Sequence, residues 1–312
     1  MDLAPPGTAG GPRRGFAALG RARRPRPRPG LRGVAARPPP APRTRRAPPV
    51  GGGERRIAAP EVRVLPTADE VAAAALQVLR EEARRAVASR GRFALALSGG
   101  RTPRALYHRL AAAGPEALPY DRVEIFWGDE RAVPPDHPAS NFRLAYEAWL
   151  RHVPVPPERL HRIRGEEAPE AAARAYEAEL LAVLGDPPAL DCVLLGIGED
   201  GHIASLFPAS AALRSARYVE ATRAPAPPVW RITLTPRALA PARRVLVLAT
   251  GRAKAPAVAR ALGGAGPAAG EGGAGEAADV PAAVLRGLPV LWLLDRAAAA
   301  ALAPGPTRRS LP

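Results

Sequence analysis

The feature that most constrains the fold of this chain is a series of short apolar segments that alternate with helical patterns. Four of them, residues 93–97, 123–127, 191–195 and 245–249, contain at most one charged residue each. Strands of this kind are buried on both faces, which requires helices on both sides of a parallel sheet. We therefore predict an α/β fold with an open, mostly parallel, Rossmann-like sheet and helices on both faces.

Other elements follow from turn and capping signals. Thr67 and Glu70 form a capping box, and Gly91 stands where the following helix should end. Further strands are predicted at 230–234 and 290–294, and a polar turn at 128–138. The predicted helices cover residues 67–89, 103–113, 141–150, 169–184, 252–262, 281–286 and 297–302.

The first 56 residues differ from the rest in composition. They hold 14 arginines against two acidic residues, so most of the formal net charge of +16 lies there. With so few apolar residues the segment cannot offset its ordering entropy, and we predict a disordered tail. Such a tail is able to bind nucleic acid through phosphate contacts. We favour a solvated tail, or upstream sequence translated from a mis-set start codon. Residues 57–312 are expected to form one α/β domain, with a low-complexity loop at 263–278.

The composition also excludes several classes of protein. One cysteine, Cys192, allows neither an intramolecular disulfide framework nor a cysteine-based zinc cluster. No run of about 18 apolar residues is present, so we predict no transmembrane helix. We expect a cytoplasmic protein.

The first candidate site is the turn Ser98-Gly99-Gly100-Arg101-Thr102, between a strand and a helix. Backbone N–H groups and the helix dipole make such a turn an anion site, and glycines let a phosphate approach closely. We predict that these five residues bind phosphate. A tight turn with Thr102 as the helix N-cap needs the same residues, so that alternative stays open.

The second candidate site follows the strand at 123–127 and contains Asp129, Glu130 and Arg131. Strand-end loops often carry function. Arg131 is able to grip a phosphate in a bidentate fork, while Asp129 orients either the arginine or substrate hydroxyls. Glu130 is a supporting residue. The alternative is a surface ion pair of little energetic value.

The third candidate site is the turn Gly198-Glu199-Asp200-Gly201-His202 after the apolar segment 191–195. A neutral imidazole accepts a proton from water near pH 7, so His202 is the candidate general base. Asp200 or Glu199 would orient its ring, and Gly198 and Gly201 support the turn. A purely structural histidine remains the alternative. The other four histidines are expected to be solvated: His108, His137, His152 and His161.

Arg231 begins a predicted strand, and Lys254, the only lysine, follows another. Both would add positive charge where the carboxyl ends of the strands meet, although an edge-strand charge and a helix-surface lysine explain them as well. Convergence of four strand ends suggests a site for a phosphate-bearing small molecule. The chain has no G-x-S-x-G nucleophile elbow. Direct attack by water is therefore the simplest mechanism.

Several motifs, in order between about Val62 and Leu302, closely resemble the 6-phosphogluconolactonase family, within the wider glucosamine-6-phosphate isomerase/6-phosphogluconolactonase group. They are Ala96-Leu-Ser-Gly-Gly-Arg-Thr-Pro103, Phe126-Trp-Gly-Asp-Glu-Arg131, Asp136-His-Pro-Ala-Ser-Asn141, Leu194-Leu-Gly-Ile-Gly-Glu-Asp-Gly-His-Ile-Ala-Ser-Leu-Phe-Pro208, Arg231-Ile-Thr-Leu-Thr235, Ala249-Thr-Gly251 with Lys254, and Trp292-Leu-Leu-Asp295.

The resemblance implies hydrolysis of 6-phosphoglucono-1,5-lactone to 6-phosphogluconate, in the oxidative pentose phosphate pathway, with no metal and no cofactor. The family's proposed base corresponds to His202 and its second-motif carboxylate to Asp129. Arg131 corresponds to the phosphate-binding arginine, and Arg231 is a second candidate. The implied partner is a small sugar-phosphate lactone, with no membrane involved.

Two alternative functions remain open at this point. Glucosamine-6-phosphate deaminase shares the fold, but its pattern continues to Asn-Glu-Pro after the histidine, where this chain has Leu206, Phe207 and Pro208. Loss of that glutamate argues against the deaminase. A sugar-phosphate-sensing regulator would carry a helix-turn-helix, and residues 1–56 have no helical period.

Overall fold

A computed structural model describes residues 60–263 and 280–303. The predicted tail at 1–56 and nearly all of the predicted loop at 263–278 lie outside these residues. The strands are β1 Glu61–Leu65, β2 Phe93–Leu97, β3 Val123–Trp127, β4 Asp129–Arg131, β5 Cys192–Leu195, β6 Val219–Arg223, β7 Trp230–Leu234, β8 Val245–Ala249 and β9 Val290–Asp295. The helices are α1 Ala68–Arg90, α2 Arg101–Ala112, α3 Asn141–Ala148, α4 Pro169–Leu184, α5 Pro236–Leu239 and α6 Ala255–Ala261.

The predicted parallel sheet is confirmed. Six strands pair in the order β1-β9-β8-β5-β2-β3, and every pairing is parallel. All residues of β2, β5, β8 and β9 are buried. Burial on both faces explains why these strands lack the polar alternation of a half-exposed sheet. None of the described helices is long and apolar enough to cross a membrane.

Helix α1 begins and ends as its capping residues predict. The Thr67 hydroxyl accepts a hydrogen bond from the Glu70 N–H at 3.2 Å, and Gly91 adopts the left-handed conformation that closes the helix. The capping box is only half formed, because the Glu70 carboxylate accepts from the Thr67 hydroxyl at 2.8 Å.

A second, antiparallel sheet was not predicted. It contains β4, β7 and β6 in that order, so the segment 230–234 does not belong to the parallel sheet. The predicted polar turn at 128–138 begins with β4, a strand of three charged residues. Because all three residues of β4 are charged, this strand lacks the apolar pattern that predicts a buried strand. In this sheet Arg131 of β4 pairs directly with Arg231 of β7.

Several predicted helices are shorter than expected. The segment 252–262 splits into a 3₁₀ turn, Arg252–Lys254, and helix α6, and 281–286 forms a 3₁₀ helix, Pro281–Leu285. The alanine-rich segment 297–302 forms turns and no helix, although alanine favours helices. Its first turn instead folds around Asp295, whose carboxylate accepts from the Ala298 N–H at 2.7 Å. Helix α3 ends at Ala148, before the predicted residue 150.

Candidate active site

The carboxyl ends of the parallel strands open into a cleft of about 680 Å³. Four of the predicted motifs meet there, which confirms their convergence. The predicted site residues on its wall are Ser98, Gly99, Gly100, Arg101, Thr102, Asp129, Arg131, Gly198, His202 and Lys254. The structure places four others behind the wall or beside it: Glu130, Asp200, Gly201 and Arg231.

The Tyr107 side chain of α2 holds the turn after β2 in place through two hydrogen bonds. The buried Tyr107 hydroxyl accepts from the Ser98 N–H at 3.1 Å and donates to the Ser98 carbonyl at 2.6 Å. The Ser98 N–H is therefore not available to a ligand. Gly100, at φ +102°, is the N-cap of α2, whose first N–H groups lack partners within the helix. These groups favour an anion in the cleft.

Thr102 is not the helix N-cap that the alternative assumed. Its hydroxyl instead shares a hydrogen bond with the Thr250 hydroxyl at 2.8 Å. Thr250 follows β8, so this contact joins the turns after β2 and β8. Lys254, on the same turn as Thr250, lies 3.8 Å from the exposed Glu199 carboxylate. The ammonium of Lys254 thus lines the cleft and forms a long ion pair with an exposed carboxylate.

Asp129 is buried, and both of its carboxylate oxygens accept hydrogen bonds. Asn141 Nδ2 donates to Asp129 Oδ1 at 3.2 Å and to the Asp129 main-chain oxygen at 2.9 Å. Ser205 Oγ donates to Asp129 Oδ2 at 2.7 Å. Neither donor is charged, so neither forms an ion pair with the carboxylate.

Arg131 and Arg231 are neighbours on β4 and β7, and both lie near Asp129. Arg131 Nη1 donates to the Ala139 carbonyl at 2.5 Å, and its buried Nε–H has no partner. Within the described ranges neither guanidinium forms an ion pair. Burial and the charge of Arg131 lower the pKa of Arg231. Two adjacent guanidinium groups that form no ion pair among the described residues favour binding of an anion such as a phosphate.

His202 is oriented by Asp200. The Asp200 carboxylate accepts from the His202 N–H at 3.1 Å and lies 2.6 Å from Nδ1. Partial burial raises the pKa of Asp200, but the hydrogen bonds and charge of His202 outweigh burial and hold it below its ordinary value. Gly198 is required here, because a Cβ would lie 2.1 Å from His202 Nδ1. The Phe207 ring lies on the other side, 4.7 Å from the imidazole centroid.

Comparison with known proteins decides the family. The sequence model of the glucosamine-6-phosphate isomerases/6-phosphogluconolactonase family matches residues 66–288, more than half of the chain. The chain belongs to this family. It is 42% identical over 252 residues to the 6-phosphogluconolactonase of Mycobacterium tuberculosis, covering 77% of this chain and 98% of that relative. It is 38% identical over 247 residues to a 6-phosphogluconolactonase of Nostoc, with the same coverage.

Solved structures of the family share the fold. The 6-phosphogluconolactonase from Trypanosoma cruzi matches with a TM-score of 0.69 at 30% identity, covering 78% of this chain and 97% of that one. A monomeric glucosamine-6-phosphate deaminase matches with a TM-score of 0.63 at 25% identity, covering 77% and 99%. Because both activities occur on this fold, the residues of the cleft have to distinguish them.

Glu130 supports the family's second motif from inside the protein. It is almost fully buried, and its carboxylate accepts from the N–H groups of Arg131, Asn141 and Phe142 and from the Ser140 hydroxyl, at 2.7–3.0 Å. Glu130 thereby caps the N-terminus of α3 and fixes Asn141, the helix residue that contacts Asp129. Burial raises the pKa of the Glu130 carboxyl, and the accepted hydrogen bonds only partly offset this.

Glu130→Gln is expected to lower the free energy of unfolding by about 2–4 kcal/mol, because an amide NH₂ would face backbone N–H donors that lose their acceptor. Urea unfolding measures this difference. The exposed Glu158→Gln serves as the matched control and should change stability by less than about 0.5 kcal/mol. Equal stability of the two variants would contradict the capping role.

His161 corrects the expectation that the remaining histidines are solvated. Its ring is buried, stacks on Phe126, and lies between two carboxylates: Nδ1 is 2.8 Å from Glu179 and Nε2 is 3.0 Å from Glu124. Burial alone would lower the pKa of His161, but the hydrogen bonds and charges of Glu179 and Glu124 together raise it. The sequence hides this pairing, because the three residues lie far apart along the chain.

The raised pKa of His161 predicts a pH-dependent contribution to stability. That contribution is fully present below the unfolded-state pKa of about 6.5 and is lost as the pH rises through the higher folded-state pKa. The loss of unfolding free energy caused by His161→Gln should therefore be larger at about pH 5.5 than at about pH 8.5. The exposed His152→Gln should show no such difference, and a pH-independent loss for His161→Gln would contradict the pairing.

Proposed function

We propose that this chain hydrolyses 6-phosphoglucono-1,5-lactone to 6-phosphogluconate in the oxidative pentose phosphate pathway. The family includes isomerases as well as lactonases, and one observation favours lactone hydrolysis. The imidazole of His202 packs on the Phe207 ring at 4.7 Å. That apolar ring occupies the sequence position where the deaminase pattern has the glutamate that supports proton transfer in ring opening.

The phosphate of the substrate would bind at the positive part of the cleft. Arg131 and Arg231 are adjacent, and neither forms an ion pair among the described residues. The N–H groups at the start of α2 and the ammonium of Lys254 add further attraction. The Asp129 carboxylate lies near the two arginines on the cleft wall and would accept hydrogen bonds from hydroxyls of the sugar ring.

His202 would act as the general base. When the Asp200 carboxylate accepts a hydrogen bond from Nδ1–H, Nε2 is unprotonated. Its lone pair is then available to take a proton from water. The hydroxide that forms attacks the lactone carbonyl, and the tetrahedral oxyanion collapses with cleavage of the ring C–O bond. The imidazolium then returns its proton to the leaving alkoxide, which becomes a hydroxyl of the open acid. The protein's own side chains suffice for these steps, and neither a metal nor a cofactor takes part in the proposal.

The test is hydrolysis of the lactone, generated in situ, measured above its spontaneous rate. We expect acceleration that is insensitive to chelators, and no release of ammonia from glucosamine 6-phosphate. Ammonia release without lactone hydrolysis would reverse the choice between the two family activities. We further propose a cytoplasmic protein in which residues 57–312 form the single catalytic domain. A variant lacking residues 1–56 should then keep full activity.

A further inference from the structure

Both oxygens of the Asp129 carboxylate are held by residues from other parts of the chain. Asn141, the first residue of α3, donates to Oδ1, and Ser205, from the turn after His202, donates to Oδ2 at 2.7 Å. Asn141 and Ser205 are each 1% exposed, so water does not compete for these contacts. A terminal carboxylate torsion is otherwise broad, and two donors on opposite oxygens fix its plane.

Ser205 is itself anchored on the antiparallel sheet. Its N–H donates to the Thr233 hydroxyl of β7 at 3.2 Å. The preceding residue, Ala204, has a left-handed backbone at φ 48° although it is not glycine, and it lines the cleft. Such a conformation is costly for alanine and persists only where surrounding contacts impose it. The hydrogen bonds of Ser205 with Thr233 and Asp129 are surrounding contacts that hold the neighbouring Ala204 in this conformation.

The geometry also links the two reactive groups. Only two residues lie between His202 and Ser205, and a bridge between Ile203 and Leu206 closes the turn that contains Ser205. The Ser205 hydroxyl is therefore the direct contact between the segment that carries the imidazole and the strand that carries the carboxylate. Asn141 donates to the other carboxylate oxygen, Oδ1, of Asp129.

We propose that Ser205 is a positioning residue, which acts through Asp129 and sets the direction of its carboxylate in the cleft. The proposal rests on the function proposed above. If Asp129 accepts hydrogen bonds from the sugar ring, loss of the Ser205 hydroxyl lets the carboxylate rotate and misplaces the lactone relative to His202. The effect should therefore appear mainly in kcat, because the phosphate contacts that dominate binding remain.

The experiment is a double-mutant cycle on the full chain with Ser205→Ala, Asp129→Asn and the double variant. Ser205→Ala is expected to lower kcat about 10-fold to 100-fold, as for loss of a hydrogen bond to a charged group. In the Asp129→Asn background the same substitution should change kcat less than about two-fold. Ser210→Ala is the matched control, because Ser210 forms a similar hydroxyl contact with Thr222 at 2.9 Å, away from the cleft wall.

Each outcome decides the proposal. A kcat for Ser205→Ala equal to that of Ser210→Ala would overturn it, and so would an equal loss in both Asp129 backgrounds, since Ser205 would then act on another group. The same four proteins are also compared by urea unfolding, which gives the coupling free energy between Ser205 and Asp129 without any substrate. This coupling is measurable even if kcat of the double variant is too low to measure. Absence of this coupling would also overturn the proposal. A wild type without lactonase activity would instead refute the proposed function.

Discussion

Replacing His202 with alanine is expected to lower kcat by about 10²–10⁴, the contribution typical of a general base. The imidazole lines the cleft and Asp200 fixes its orientation, so its removal leaves water without a proton acceptor. KM should change little, because the phosphate contacts lie elsewhere in the cleft. Initial rates of lactone hydrolysis above the spontaneous rate, at several substrate concentrations, separate the two constants.

The matched control is His108→Ala, which removes an exposed imidazole from the surface of α2. It should keep wild-type kcat. Asp200→Asn is a useful intermediate variant, because it retains the imidazole and removes only the carboxylate that orients it. A kcat of His202→Ala within about two-fold of the wild type would remove His202 from the role of base.

Arg131→Ala is expected to raise KM about 10-fold to 100-fold with a smaller change in kcat. A hydrogen bond to a charged group contributes about 1.5–3 kcal/mol, and the phosphate is bound equally in ground and transition states. The guanidinium is held in place by the Ala139 carbonyl, and its buried Nε–H has no partner in the part of the chain that the structure describes. Binding of the product 6-phosphogluconate, measured by calorimetry, should weaken by a similar factor.

The matched control for Arg131 is Arg122→Ala, an exposed arginine paired with Asp121. Its KM should equal that of the wild type. If Arg131→Ala also leaves KM unchanged, the phosphate binds elsewhere, and Arg231→Ala and Lys254→Ala become the variants to measure. A fall in kcat with constant KM would instead mean that Arg131 acts only in the transition state.

The parallel sheet was predictable because its strands are buried on both faces and therefore form apolar runs in the sequence. The boundaries of β3, β7, β8 and α4 agree with the prediction to the residue. The antiparallel sheet was not predictable from the sequence. Its strand β4 consists of Asp129, Glu130 and Arg131, and the pairing of β4 with β7 joins residues far apart in the chain. Alanine-rich segments were misassigned where a tertiary contact, such as that of Asp295, overrides helix propensity.

The cleft was predictable in outline for a similar reason. Turns that follow parallel strands meet at one edge, so the motifs could be assigned to one site. The sequence could not assign Asn141 and Ser205 to Asp129, although both stand within recognised motifs, because a serine hydroxyl has many potential acceptors. The role of Tyr107 beneath Ser98 was equally hidden, since a buried tyrosine is usually interpreted as core.

The contact between Gly99 and Asn141 has a consequence for substrate choice. A Cβ at Gly99 would lie 1.9 Å from Asn141 Oδ1, so the turn after β2 and the start of α3 touch with no room between them. Asn141 in turn holds Asp129. The turn after β2 and the Asp129 carboxylate are thus held at one separation. Under the proposed function, in which the turn binds phosphate and Asp129 binds ring hydroxyls, we expect a sugar phosphate one carbon shorter to reach only one of them and to be a poorer inhibitor of lactone hydrolysis than 6-phosphogluconate.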